Sequence, residues 1–125
     1  MTRHPLVVLV DEDPSILVAL TRMLMPLDVS LAWFTSASDA LETVIRLQPS
    51  VVICGPHVSA ADLPDFLGNV ANRSPGTQRL LLNRGSATAL RPGTTELRWP
   101  ASHAQLRTAI ARAASLHLFE ELPQL

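Results

Sequence analysis

Three acidic residues, Asp11, Glu12 and Asp13, directly follow an apolar run near the start of the chain. Carboxylates gathered at the end of a buried strand are the ligands that a hard cation such as Mg²⁺ prefers. His57 could join Asp11 and Glu12 in a metal or acid–base site, since imidazole both binds metals and carries protons near neutral pH. The preferred interpretation makes the acids solvated or helix-terminus groups, and His57 an exposed loop residue. Residue types alone leave both interpretations open.

The loop after the first apolar run does not have the composition of a phosphate-binding loop. It reads DEDPS, without glycine, and its negative charge repels phosphate. The sequence therefore argues against nucleotide or flavin binding at this point. Asp13 is instead expected to cap a helix that begins at Pro14.

Composition indicates a globular domain with one core. The 125 residues are 47% hydrophobic and 17% charged, with a formal net charge of −1, and all ten basic residues are arginines. Without a basic surface field, neither nucleic acid nor a membrane is expected as a partner. The apolar run near the start is too short for a signal sequence or a membrane span, which predicts a cytoplasmic protein.

Strand and helix patterns alternate along the chain. Strands are predicted at Leu6–Val10, at alternating Val29, Leu31 and Trp33, in PSVVICGP, at Arg79–Leu82 and at Glu96–Trp99. Apolar residues at helical spacing lie between them, after the helix-capping residues Asp13, Ser36, Asp62 and Ser102. The pattern predicts an α/β fold of the (βα)5 type, a doubly wound, parallel five-stranded sheet of the flavodoxin-like kind. Sites in such sheets form at the carboxyl ends of the strands.

The connection between the fourth and fifth strands is unusual. NRGSATALRPGT holds two glycines and a proline, so at most about one helical turn fits between Ser86 and Leu90. The fourth helix is therefore predicted to be shortened or missing. Trp33 and Phe34, at the end of the second strand, are predicted to be core residues.

Three stretches resemble the receiver domains of response regulators. LVDEDPSILVAL resembles that family's opening strand, acidic pair and first helix, with Asp11 and Glu12 at the positions of the pair. PSVVICGPHVSAADL resembles the phosphoacceptor segment, and LRWP matches the fifth-strand signature, with Pro100 in place. The resemblance covers nearly the whole chain, so we expect residues 1–125 to form a single receiver-like domain. It implies a role in two-component signalling or a phosphorelay, not an enzyme.

The chain departs from this family at four functional positions. The phosphoacceptor aspartate falls at Gly55, the switch Ser/Thr at Asn83, the phosphoryl-binding lysine at Trp99 and the switch aromatic residue at Glu96. Glycine has no nucleophile to accept a phosphoryl group, and a chain without lysine has none to hold the phosphoryl charge. The changes predict a degenerate pocket that is not phosphorylated on aspartate.

The resemblance implies a weakened metal site. One of the three expected carboxylates is missing, and Glu12 is one methylene longer than the usual aspartate. Asp11 and Glu12 alone would bind Mg²⁺ only weakly, because this ion dehydrates reluctantly. We therefore expect no bound cofactor beyond weak Mg²⁺.

Two classes of function stay open. The first is a degenerate receiver that acts as a protein–protein interaction or dimerisation module. The second is a (βα)5 enzyme, or a metal- or ligand-binding domain, that uses Asp11, Glu12 and His57. A variant of the first keeps phosphorylation but moves it to a non-standard residue such as Asp62. The acidic loop DEDPS favours the first class.

Apolar residues indicate where a partner binds. If the fourth helix is lost, Leu90 and Leu97 need other cover. The tail, residues 116–125, is expected to start a linker or signalling helix, and its apolar residues are Leu116, Phe119 and Leu122. We expect a protein partner or effector domain, and a constitutive homodimer.

Relative to the family pattern, position 55 loses a side chain and position 99 gains a large ring. The changes at Gly55 and Trp99 are therefore complementary in volume. We predict that the Trp99 ring leans over Gly55 and fills the former pocket, with its indole N–H bonding to Asn83, Asp11 or water. The alternative places Trp99 outward, at an interface.

Overall fold

This computed structural model describes residues 5–83 and 93–121, with the side chains of residues 5–83 and 93–113. The described part contains five strands and four helices. The strands are β1 (Leu6–Val10), β2 (Ser30–Phe34), β3 (Val51–Cys54), β4 (Gln78–Asn83) and β5 (Thr94–Arg98). The helices are α1 (Pro14–Leu24), α2 (Ala37–Leu47), α3 (Leu63–Arg73) and α4 (His103–Glu121).

The strands form one parallel sheet in the order β2-β1-β3-β4-β5. This confirms the predicted (βα)5 fold with helices on both faces. The first core cluster lies between the sheet and helices α1 and α4, and includes Leu9, Leu20 and Leu106. The second core cluster lies between the sheet and helices α2 and α3, and includes Val8, Val44 and Val70. The strand order reverses between β1 and β3, where crevices form in such sheets.

Local capping explains where three helices begin. The Asp13 carboxylate accepts a hydrogen bond from the Ser15 backbone N–H at 2.9 Å, beside Pro14 in the first turn of α1. Ser102 and Gln105 cap α4 reciprocally, each side chain accepting from the other's backbone N–H at 3.1 Å. The Ser36 hydroxyl accepts from the Asp39 N–H at 3.4 Å to cap α2.

Asp62 does not cap α3 as predicted. It occupies the position before the helix, but its backbone is already helical (φ −87°, ψ −27°) and its side chain makes no capping hydrogen bond. An N-cap residue needs an extended backbone to turn its side chain onto the next turn of helix. Its carboxylate is therefore left for other contacts.

Trp33 is not a core residue, contrary to the prediction. Its side chain is 54% exposed, because β2 is an edge strand that pairs only with β1. Phe34, which faces the opposite side of the sheet, packs against the second core cluster. No helix in the described residues is long and apolar enough to span a lipid bilayer.

Two predictions lie partly or wholly outside the described residues. The shortened fourth helix and Leu90 belong to the connection between Asn83 and Gly93. Helix α4 continues through Glu121, so the first part of the tail is helical, but the side chains of Leu116 and Phe119 and all of Leu122 are beyond the described part. The role of this tail as a linker or signalling helix stays a prediction.

Candidate functional site

The carboxyl ends of four strands carry the predicted site residues. Asp11 follows β1, Gly55 follows β3, Asn83 ends β4 and Trp99 follows β5. The sheet hydrogen bonds continue past the strand ends, from the Gly55 N–H to the Val10 carbonyl at 2.8 Å and from the Trp99 N–H to the Asn83 carbonyl at 2.7 Å. The backbone therefore holds these positions in fixed register at one edge of the sheet.

The Asp11 carboxylate is fully buried at this edge. Its Oδ1 accepts a hydrogen bond from the Asp13 N–H at 2.8 Å, and its Oδ2 accepts one from the His57 N–H at 3.0 Å. A buried carboxylate is tolerated when such donors satisfy its oxygens. Asp11 thus ties the loop after β1 to the loop after β3.

Because Gly55 has no side chain, the Asp11 carboxylate can occupy the space beside it. A Cβ atom at position 55 would lie 2.0 Å from Asp11 Oδ2, 2.8 Å from Cγ and 2.9 Å from Cβ. No side chain can start at position 55 while Asp11 keeps this conformation. In the family that the sequence resembles, position 55 carries the phosphoacceptor. Here the space for a side chain at this position is filled by Asp11, at the end of the neighbouring strand.

Trp99 does not fill the space beside Gly55, contrary to the prediction. The three heavy atoms nearest to the missing Gly55 side chain all belong to Asp11. The half-buried Trp99 instead packs against the first core cluster, as does Leu97. The prediction failed because the volume left by the glycine was already taken by a residue next to it in the sheet. Leu97, predicted to need cover from a partner, obtains part of its cover from this cluster.

His57 lies against the Asp11 carboxylate. Its Nδ1 is 3.3 Å from Asp11 Oδ1, and the His57 side chain is 32% exposed. The geometry is not that of a hydrogen bond, so the buried Nδ1 has no hydrogen-bond partner among the described residues. The structure thus brings Asp11 and His57 together, but nowhere in the described ranges do three or more His, Cys, Asp or Glu side chains converge in a way that could hold a metal ion.

Asn83 and Glu96 contact each other at the end of the β4–β5 pair. The Asn83 side-chain amide donates a hydrogen bond to the Glu96 carboxylate. Trp99 and Pro100 follow, joined by a cis peptide bond. Two of the positions at which the chain departs from receivers are therefore bonded to one another across neighbouring strands.

Cys54, next to Gly55, is fully buried. Burial, and then the nearby Asp11 carboxylate, raise the pKa of its thiol from the ordinary 9.0 to about 12. Since the unfolded chain loses this proton at lower pH than the native protein, the free energy of unfolding falls as pH rises between 9.0 and about 12. A Cys54→Ala variant lacks this thiol contribution.

We expect native Cys54 to resist thiol reagents. At pH 8 its reaction with an aromatic disulfide reagent should be more than about 100-fold slower in the native protein than in the urea-unfolded chain, because only the thiolate attacks and the buried thiol is protonated. Absorbance of the released thiol measures both rates. Comparable rates in the two states would contradict the buried, protonated thiol.

A cavity of about 340 Å³ opens beside this edge, between α2 and α3. Glu12, Asp62 and Asp65 line it, together with the residues that begin α2. The sequence interpretation missed this cavity, although one signal was present. In a doubly wound sheet of the predicted kind, the loops after β1, β2 and β3 surround one crevice, and combining their polar residues would have located it.

Comparisons with known proteins give a match in structure. No protein-family model matches the chain, and no curated protein matches it significantly. The signal receiver domain of an HD domain-containing protein from Pseudomonas fluorescens Pf-5 is 28% identical, with a TM-score of 0.83 over 96% of this chain and 93% of that one.

Two more distant structures share the same architecture. A CheY-like receiver domain from Methanospirillum hungatei JF-1 is 14% identical, with a TM-score of 0.84 over 94% of this chain and 99% of that one. A response regulator receiver domain protein from Clostridium thermocellum is 19% identical, with a TM-score of 0.78 over 93% and 98%. The chain therefore has the fold of response-regulator receiver domains, over nearly its whole length.

Proposed function

We propose that this domain is a degenerate receiver module that is not phosphorylated on aspartate and that signals by binding another protein. One observation carries the proposal: the buried Asp11 carboxylate occupies the space in which a side chain at position 55 would begin. The site that would accept a phosphoryl group has neither a nucleophile nor room for one.

Asp11 is itself a poor substitute for the missing aspartate. A nucleophilic carboxylate must reach the phosphorus atom of an external donor in line with the leaving group. The Asp11 side chain has no solvent exposure, and each of its oxygens accepts a backbone N–H. A second requirement, a cation that stabilises the transferring phosphoryl group, is unmet at Trp99.

The contact between Asp11 and His57 is the observation that favours an acid–base or ligand site as the second candidate. The Asp11 oxygens are already used by backbone donors, and Glu12 lines the cavity between α2 and α3. The Asp11 carboxylate therefore holds the loops after β1 and β3 together and is not free for acid–base chemistry. For this reason the non-enzymatic module is preferred.

The partner is proposed to be an effector domain or another signalling protein, with constitutive homodimerisation. Leu97 packs on the core, so it contributes less to such an interface than the sequence suggested. The helical tail that extends α4 to Glu121 is the element proposed for this homodimerisation. Since the usual phosphorylation switch is missing, this association is not regulated by phosphoryl transfer to position 55. We propose that the domain works in the cytoplasm.

The proposal is tested by incubating the protein with acetyl phosphate and Mg²⁺ and recording its intact mass. We expect no added phosphoryl group in the natural chain. We expect none in a Gly55→Asp variant either, because Asp11 blocks the new side chain and position 99 still lacks a cation. A receiver domain that retains its aspartate serves as the positive control.

A gain of one phosphoryl group in the natural chain, labile to hydroxylamine, would overturn the proposal. Peptide mapping would then decide whether Asp62, the non-standard alternative, carries the group. Ready phosphorylation of Gly55→Asp alone would show that Asp11 does not close the site.

A further inference from the structure

The cavity between α2 and α3, hereafter the α2–α3 pocket, has the size and place of a binding site. Its volume of about 340 Å³ falls in the range of about 300 to 1,000 Å³ typical of ligand pockets. It lies outside the carboxyl ends of β1 and β3, between which the strand order reverses. Parallel α/β sheets bind ligands at this kind of position.

The floor of the pocket is apolar and well packed. Val10 and Phe66 are 1% and 3% exposed and belong to the second core cluster, and Leu41 and Val58 pack against that cluster. Such a floor suits an alkyl stem. The walls add hydroxyl and amide groups that can orient a polar head, from Thr35, Ser36, Ser38, Ser59 and Asn69.

Three carboxylates surround this floor without a matching cation. Glu12, Asp62 and Asp65 line the pocket, and its described lining contains no Arg, Lys or His. Within the described residues, none of these three carboxylates is hydrogen-bonded or ion-paired. Asp62 stands out, because it directly precedes α3 and yet its side chain does not cap that helix.

The balance of charge selects a cation. The amino ends of α2 and α3 both meet the pocket, and each helix end contributes roughly half a positive charge. Three full negative charges outweigh these two partial ones. The Ser36 hydroxyl already accepts from the Asp39 N–H and is bonded to the Ser38 hydroxyl, so part of the α2 end is satisfied within the chain.

We propose that the α2–α3 pocket binds an arginine side chain of a partner protein. Its methylene stem would lie on Val10, Leu41 and Phe66, and its guanidinium group would meet the carboxylates of Asp62, Asp65 and Glu12. Arginine suits this arrangement because its stem is apolar and its planar head offers several donors to carboxylates. The inference rests on the proposed function as a protein-binding module and names the chemistry of one contact.

Two matched probes test this inference. N-acetyl-arginine methylamide and N-acetyl-citrulline methylamide have nearly the same shape, but only the first is charged. We expect the arginine probe to produce saturable shifts in a ¹⁵N–¹H NMR titration of the full chain, centred on the amides of Ser38, Ser59 and Asn69. The citrulline probe should bind about threefold more weakly, since an exposed ion pair is worth a few-fold in affinity.

Charge-removing variants locate the binding site. The double variant Asp62→Asn and Asp65→Asn should weaken the arginine probe by about threefold or more. Glu42→Gln removes the same kind of charge from the exposed face of α2, outside the pocket, and should leave the affinity within about 1.5-fold of the natural chain. Added salt should weaken the arginine probe and not the citrulline probe.

Three results would overturn the inference: no saturable shifts, equal affinity for the two probes, or equal loss in the pocket variant and Glu42→Gln. None of them bears on phosphoryl transfer, which the intact mass after acetyl phosphate reports separately. A phosphorylated chain that still binds the arginine probe would contradict the proposed function and leave the pocket inference standing.

Discussion

Gly55→Ala is expected to lower the free energy of unfolding by about 2 to 4 kcal/mol. This loss is the sum of overpacking and of the lost hydrogen bonds to the Asp11 carboxylate. The new Cβ would meet three atoms of Asp11 at 2.0, 2.8 and 2.9 Å. Turning the carboxylate away frees Oδ2 but does not move the Asp11 Cβ, so the backbone must shift as well. The N–H groups of Asp13 and His57 then lose their acceptor.

Urea denaturation followed by circular dichroism measures this loss. A decrease below about 0.5 kcal/mol, the scatter of ordinary surface substitutions, would show that Asp11 leaves its place at little cost. The site would then be closed only loosely, and the structural support for the proposal that position 55 is not phosphorylated would weaken.

Trp99→Ala is expected to cost about 2 to 3 kcal/mol, somewhat below the 3 to 5 kcal/mol of a fully buried tryptophan. The ring is half-buried and packs on the first core cluster with Leu97, so its removal exposes apolar surface of that cluster. Sedimentation velocity should show the same association state for the variant and the natural chain, because the ring supports the core of one domain.

Trp33→Ala is the matched control for this prediction. Trp33 lies on the opposite edge strand and is 54% exposed, so its removal should cost clearly less than that of Trp99. If Trp99→Ala left stability unchanged and weakened association, Trp99 would be an interface residue and its packing on the core would be incidental.

The fold could be predicted from local signals. Continuous apolar runs at Leu6–Val10 and around Val51–Cys54 indicated strands covered on both faces. Both strands are buried between the two core clusters, except for the half-buried Leu6. The capping pair Ser102 and Gln105 forms the reciprocal bonds that its spacing suggested. These features depend on residues close in sequence, which is why they can be read before the chain is folded.

The inner geometry of the site could not be predicted in this way. Asp11 and Gly55 are far apart in sequence, and only the parallel register of β1 and β3 brings them side by side. The direction of the Asp11 side chain then decides which residue fills the gap, and a rotamer is not fixed by sequence pattern. The prediction that Trp33 belongs to the core failed for a related reason, since its exposure depends on β2 being the edge of the sheet.

A pair of double-mutant cycles, measured by urea denaturation, tests the closure of the site by Asp11 most directly. Gly55→Ala should cost at least about 1 kcal/mol less in an Asp11→Ala background, because residues in contact couple by about 0.5 to 3 kcal/mol. In a Trp99→Ala background its cost should change by no more than about 0.5 kcal/mol, as for residues that do not share a contact. Strong coupling to Trp99, with none to Asp11, would contradict closure of the site by Asp11 and would show that the Trp99 ring closes it.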